Sequence, residues 1–316
     1  MIGPHAIVRR LIVLGAMCLS PMPAAGAEPE EQVLKVPGFA DFLAVDGDTV
    51  WATNTGKVER WSRKGKLAEV AVARPCGAMA IASGSLWVAN CKDRVLTRID
   101  IKTAKVTAVI PTGIANPEEG EMIVVAGAGS IWIGSDAKGA VARVDPRTNK
   151  VVATVKVAPG SYYLAFGFGS VWAVSQKGQT IQKIDPATNK VVATTALGRA
   201  PGFLIAGEGG VWVQEQGDGT VARVDPASGA VAGRVKVDQT LKYGDIDTGG
   251  GKVWVRTTDA QTFVVIDPAS LAVTARVGKP SGSGALRYTP AGVWTSAHDL
   301  HTLSWWPDPA AIGNKR

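Results

Sequence analysis

Histidine is scarce in this sequence. Beyond His5, only His298 and His301 occur, three residues apart near the C-terminal end. Three residues of strand alternation send the two imidazoles to opposite faces, and two ligands alone make a weak metal site. His298 is the one candidate general base, with Glu215 as the carboxylate that would act beside it. A crowded acidic segment within 111–121 holds Glu118, Glu119 and Glu121. Carboxylate oxygens at such spacing are the donor type that Ca²⁺ or Mg²⁺ takes, but no Asp/Asn/Gly loop frames them. A solvated acidic loop is the stronger expectation. No cofactor is predicted, with a divalent cation at these glutamates left open. The sequence has no G-x-S-x-G elbow, no H-E-x-x-H pair and no phosphate-cradling glycine loop.

Cys76 and Cys91 are the two cysteines outside the leader. A tight turn at Ser83-Gly84 places them opposite one another across one hairpin, within bonding reach. A disulfide is the leading reading for an exported chain. A redox or metal pair is the weaker one, since the spacing is not C-x-x-C.

The elements that must position these groups follow from a repeat. Gly129–Val157 and Gly169–Leu197 are near-copies forty residues apart, and a period of this length points to a propeller blade or a solenoid turn. Seven tryptophans mark the copies: Trp51, Trp87, Trp132, Trp172, Trp212, Trp254 and Trp294. Each copy carries four short β-patterns, here called a to d from the centre outward. In the fourth copy they are expected at 162–167, 170–175, 180–184 and 190–197. Strand c ends in an Asp, usually followed by Pro, at Asp100, Asp145, Asp185, Asp225 and Asp267. Asp accepts turn N–H groups and Pro presets φ, so these read as turns and not as acidic ligands. Asn149, Asn189 or Gly229 then supplies a left-handed position.

The last copy lacks strand d, and Gln32–Val36 is a spare strand that resembles the end of the third copy. The expected fold is all-β, a seven-bladed propeller of four antiparallel strands per blade. The N-terminal strand completes the last blade and covers its edge.

The strand-b starts WATN, WVAN, WIGS, WAVS, WVQE, WVRT and WTSA, coupled to V-x-x-I-D-P-x-T-N-K-V-V-A-T-V, resemble the YVTN-type β-propeller repeat. More loosely they resemble the streptogramin-lyase-like and quinoprotein-dehydrogenase-like propellers. The likeness covers about residues 31–309 and implies fold more than function. Likeness to the lyases implies a metal-assisted, histidine-based elimination of a cyclic depsipeptide. WVQE at Trp212–Glu215 partly matches their W-F-T-E-like signature, without the accompanying histidines.

In such blades the d–a and b–c connections share one face, where a ligand is expected at the mouth of the central channel. The residues that close strand b point there: Asn54, Asn90, Ser135, Ser175, Glu215, Thr257 and Ala297, with Arg256 and His298 beside them. The d–a segments add Asp41, Arg74, Glu121, Tyr162, Tyr163, Arg199 and Tyr243. Asn54, Asn90, Tyr162, Ser175, Glu215, Tyr243, Arg256 and His298 form the candidate ligand set.

Residues 1–27 have the layout of an export signal, with Arg9-Arg10, an apolar core and Ala25-Gly26-Ala27. Its apolar run is too short to span a bilayer comfortably. Residues 28–316 are then a single exported domain, periplasmic or secreted, expected as a monomer. Loss of Arg9 and Arg10 takes the formal charge from +7 to +5, scattered without a basic run. Nucleic acid is therefore a weak expectation as partner. A small molecule, peptide or protein at the mouth is the stronger one, a lyase or hydrolase the alternative.

Overall fold

The computed structural model describes residues 30–114, 121–134 and 138–313, with Met1 and Gly3. Apart from those two residues, the expected leader lies outside the described residues, as do Glu118, Glu119 and Ser135. The chain forms seven four-stranded antiparallel sheets, each paired in sequence order except the last. This is a seven-bladed β-propeller. In blade 4 the strands run Ser161–Gly167, Ser170–Ser175, Thr180–Asp185 and Lys190–Ala196, within a residue of the expected ranges. The last blade combines Leu286–Thr289, Gly292–Ala297 and Thr302–Pro307 with N-terminal Gln32–Lys35. Leu34 pairs with Leu303, and Val36 N–H donates to the His301 carbonyl at 2.8 Å. The ring is closed by its own N-terminus.

Strand b is buried on both faces in every blade, because it lies in mid-sheet between two neighbouring sheets. All seven strand-b tryptophans are at most 1 % exposed. Five of them donate the indole N–H to the carbonyl that ends strand a, as Trp172 does to Gly167 at 3.2 Å. The glycine there has a second reason. A Cβ on Gly127 would fall 2.0 Å from the Phe166 ring, and one on Gly167 2.5 Å from Ala206, each in the next blade. Only a bare backbone lets adjacent strands a approach this closely.

The blades are also latched. Across from the tryptophan, strand c carries Arg60, Arg98, Arg143, Lys183 or Arg223 in the first five blades. Each cation stands 4.8–5.9 Å from the ring centroid, a cation–π distance. It then donates to a carbonyl of the following blade. Arg98 reaches Pro146, Arg143 reaches Pro186, and Lys183 reaches Pro226. The Asp-Pro turns are therefore structural twice over. Their Asp side chains accept N–H bonds within the turn, and their Pro carbonyls receive the latch. Asn149 and Asn189 take φ of 55° and 56°.

The latch fails in the last two blades, where Val265 and Trp305 occupy the position. Packing replaces it. Tyr288 stacks on Trp254 at 5.4 Å, and Ile312 of a short C-terminal helix, Pro309–Gly313, joins the same cluster. Among the described residues, no helix is long and apolar enough to cross a membrane.

Candidate functional site

The d–a and b–c connections enclose a cavity of about 970 Å³ at one mouth of the channel. Its floor is aromatic. Phe42 enters from blade 1 and Phe203 from blade 5, on the far side of the ring, with centroids 6.2 Å apart. Tyr163 of blade 4 packs on Phe203 at 4.7 Å. Tyr163 and Phe203 also line the channel below, a narrower space of about 290 Å³. The three rings thus separate mouth from channel, and their apolar faces look up into the cavity. Its walls carry Phe39, Tyr162 and the 71 %-exposed Tyr243.

Set into this apolar surround are two carboxyls that lack partners. Asp41 just precedes the first strand a of blade 1, and Glu121 precedes that of blade 3. Among the described residues neither side chain accepts a hydrogen bond, and Glu121 Oε2 is buried with no partner. Burial first, then repulsion from Asp245 and from Asp299, pushes Asp41 up to about 7, against the pull of Arg256. Burial, then repulsion from Asp41 and Asp245, pushes Glu121 up to about 8. Charging such groups in a desolvated site is costly, so Glu121 holds its proton at neutral pH and Asp41 holds one part of the time. Asp245 sits lower and is compensated, accepting from the Leu286 N–H and from Arg287 Nη1.

His298 opens a 3₁₀ turn after strand b of blade 7 and borders the same cavity. Its ring lies on Phe39, with centroids 3.9 Å apart. Nδ1 is 3.0 Å from Asp299 Oδ1 without the alignment of a hydrogen bond. Burial holds its pKa below the usual imidazole range, against the neighbouring Asp299 carboxylate. The imidazole is therefore neutral near pH 7. His301 faces elsewhere, its Nδ1 on the Gly38 carbonyl.

The strand-b ends are placed differently from the sequence expectation. Asn54 accepts from Phe39 N–H and donates to the Pro37 carbonyl and to Glu59. Asn90 accepts from Arg74 N–H and donates to Asp93. Ser175 donates to the Pro159 carbonyl. Each buried polar group is spent tying down the d–a segment that passes beside it. Glu215, 0 % exposed, does the same by accepting from Gly198 N–H at 2.7 Å, from Thr220 and from both arms of Arg234. Burial favours its neutral form, but these donors outweigh burial and keep it ionised.

Arg256 is also 0 % exposed. Its guanidinium donates to the carbonyls of Thr257, Thr262 and Ser296 and to Ser281, which binds blade 6 to blade 7. Arg199 pairs with Asp218 on the exposed surface. Of the candidate ligand set, Asn54, Tyr162, Tyr243 and His298 reach the cavity wall, while Asn90, Ser175, Glu215 and Arg256 do not.

Phe39, Phe42 and Phe203 were not in that set. In sequence they look like core residues beside strand a, and only ring closure turns them inward. Cys76 lines the cavity and is bonded to Cys91, with Cα atoms 6.0 Å apart. The hairpin register expected from the Ser83-Gly84 turn holds for Ala80–Ala82. Beyond it the chain slips, so Pro75 faces Asn90 and the cysteines bond on a diagonal.

No protein-family model matches this chain, and no curated protein matches its sequence. Solved structures do match its fold. Virginiamycin B lyase from Staphylococcus aureus superposes with a TM-score of 0.75 at 15 % identity, covering 89 % of this chain and all of the lyase. A catalytically inactive variant of the same lyase, with quinupristin, superposes equally well. A streptogramin B lyase does so at 16 % identity, covering 87 % of this chain and 96 % of the lyase. The likeness establishes the propeller scaffold. A metal centre of the kind that resemblance implies needs converging donors. Among the described residues, which do not include Glu118 and Glu119, no group of three or more His, Cys, Asp or Glu is arranged to hold an ion.

Proposed function

We propose that this chain is a ligand-binding propeller that takes a small amphipathic molecule, or a side chain of a peptide or protein, into the mouth cavity. The observation that carries the reading is the cavity itself, about 970 Å³ of aromatic-floored space among otherwise tightly packed blades. Binding sites of this size pair apolar walls with a few placed polar groups, and Asp41, Glu121 and His298 are those groups here. The polar residues that end strand b serve as scaffold, which leaves the d–a segments free to vary with the ligand. The test is a thermal-shift screen of a chemically broad library on the mature chain, repeated on Tyr162→Ala and Phe203→Ala. Hits should lose most of their shift in both variants. Hits insensitive to both would place binding elsewhere.

A second reading has its own support. A neutral His298 and two carboxyls of raised proton affinity line one cavity, the residue types that proton-transfer chemistry uses. A lyase would use His298 to remove a proton and Asp41 or Glu121 to supply one to the leaving group. If any turnover is found, His298→Ala should reduce kcat by about 10²-fold or more. Unchanged turnover would remove His298 from the reaction.

A further inference from the structure

We propose that the mouth cavity selects organic cations, holding a substituted ammonium or guanidinium group against Asp41 and Glu121 while its apolar part lies on Tyr162, Tyr163 and Phe203. The inference deepens the binding reading and rests on it.

The chain is basic overall, with a formal charge of +7, yet acidic side chains outnumber basic ones along its cavity. Asp41, Glu121 and Asp299 line it against Arg74 as the one described cation with a permanent charge. Other buried carboxylates of this protein are saturated. Glu59 accepts from Asn54, Trp61 and Lys66 and pairs with Lys57, and Glu215 accepts from three residues. Among the described residues, half-buried Asp41 and Glu121 are left in an apolar surround without a donor, and Glu121 Oε2 is itself buried. An unpaired buried polar group costs stability, and such departures from good packing concentrate at functional sites. A cation supplies the missing partner. The aromatic faces then supply the second attraction, since ring quadrupoles favour a cation over a neutral or anionic group of the same shape.

Proton release is the expected signature. Without a cation the cavity keeps a proton on Glu121 at neutral pH and shares one with solvent at Asp41, with Asp245, Asp299 and Arg256 facing Asp41, and with Asp41 and Asp245 facing Glu121. A bound cation favours the ionised forms and expels those protons.

The experiment is calorimetric titration of the mature chain with four probes: choline, its neutral isostere 3,3-dimethyl-1-butanol, benzyltrimethylammonium and benzenesulfonate. Choline should bind about tenfold or more tighter than the alcohol, and benzyltrimethylammonium tighter than benzenesulfonate. The heat of cation binding should change between buffers of different ionisation enthalpy at pH 7. Asp41→Asn combined with Glu121→Gln should abolish both the preference and the proton release. Retained far-ultraviolet circular dichroism and a cooperative melt would show that this variant folds. Equal binding of choline and the alcohol, or preference for benzenesulfonate, overturns the cation inference. Loss of that binding in Tyr162→Ala would then leave the mouth standing as a site. Absence of saturable binding by either cation at millimolar concentration also overturns the inference, while the broad screen still decides whether the mouth binds anything.

Discussion

His298 lies face to face with Phe39, ring centroids 3.9 Å apart and planes 22° from parallel. The residue most suited to proton transfer is thus held by the N-terminal segment that closes the ring. Closure and site are one construction. Phe39 N–H is fixed in turn by Asn54 at 2.6 Å, so a strand-b residue that itself borders the cavity also holds the ring stack in place.

Phe39→Ala should raise the His298 pKa toward the usual imidazole value, because burial is the main cause of its depression. Proton-detected titration of the histidine ring resonances measures this directly. A His298 that titrates at or above about 6.5 in the unmodified chain would contradict its burial against Phe39.

Glu121 makes stability depend on pH in a stated direction. Its folded-state pKa of about 8 lies above the ordinary 4.5, so between those values the folded chain binds more protons than the unfolded one. Stability from this group is therefore lost as pH rises through that window. Glu121→Gln should leave the melting temperature unchanged at pH 5 and raise it by about 2–4 °C at pH 8.5, taking about 1 kcal/mol after relaxation. Calorimetric melts of both proteins at the two pH values decide it. A variant that is less stable at pH 8.5 would mean that the carboxylate has a partner.

The Cys76–Cys91 bond closes a separation of 15 residues, and replacing both cysteines by serine should cost about 3 kcal/mol of unfolding free energy. The cost should extend to the cavity wall, because the Cys76 carbonyl accepts Met122 N–H at 2.7 Å, next to Glu121. Denaturant melts with and without reductant report the loss. No change on reduction would mean that the bond does not form in solution.

Arg143 should matter to the ring and not to the ligand. It stands over Trp132 at 5.0 Å and bonds Ser130, Asn189 and the Pro186 carbonyl of the next blade. Arg143→Met keeps the packing of the stem but forfeits these bonds, for about 2 kcal/mol. Binding of any probe that occupies the mouth should be unaltered, by the same titrations. A change in affinity without a change in stability would tie this face to the mouth.

Much of the fold was legible in the residues. The Trp spacing located the blades, the Asp-Pro turns located the c–d corners, and Gln32–Val36 disclosed the closing strand. The site was legible only in part. Asp41, Glu121, Tyr162, Tyr163 and His298 were assigned to the mouth by asking which connections share a face, and all five border the cavity. Asn90, Ser175, Glu215 and Arg256 were assigned to the mouth because they end strand b near it. Their side chains instead turn back to satisfy passing backbone groups, as buried polar atoms near irregular segments must.

The sequence by itself determined the repeat, its strand order and its closure, because these rest on local turn chemistry and short β-patterns that recur from copy to copy. Tertiary structure alone decided which residues share the cavity. Phe42, Tyr163 and Phe203 come from blades 1, 4 and 5 and meet only when the ring closes. The proton affinity of Asp41 and Glu121 is likewise set by their burial and by carboxylates distant in sequence. Desolvation and charge repulsion depend on distances through space, and residue order does not encode those distances until the seventh blade is in place.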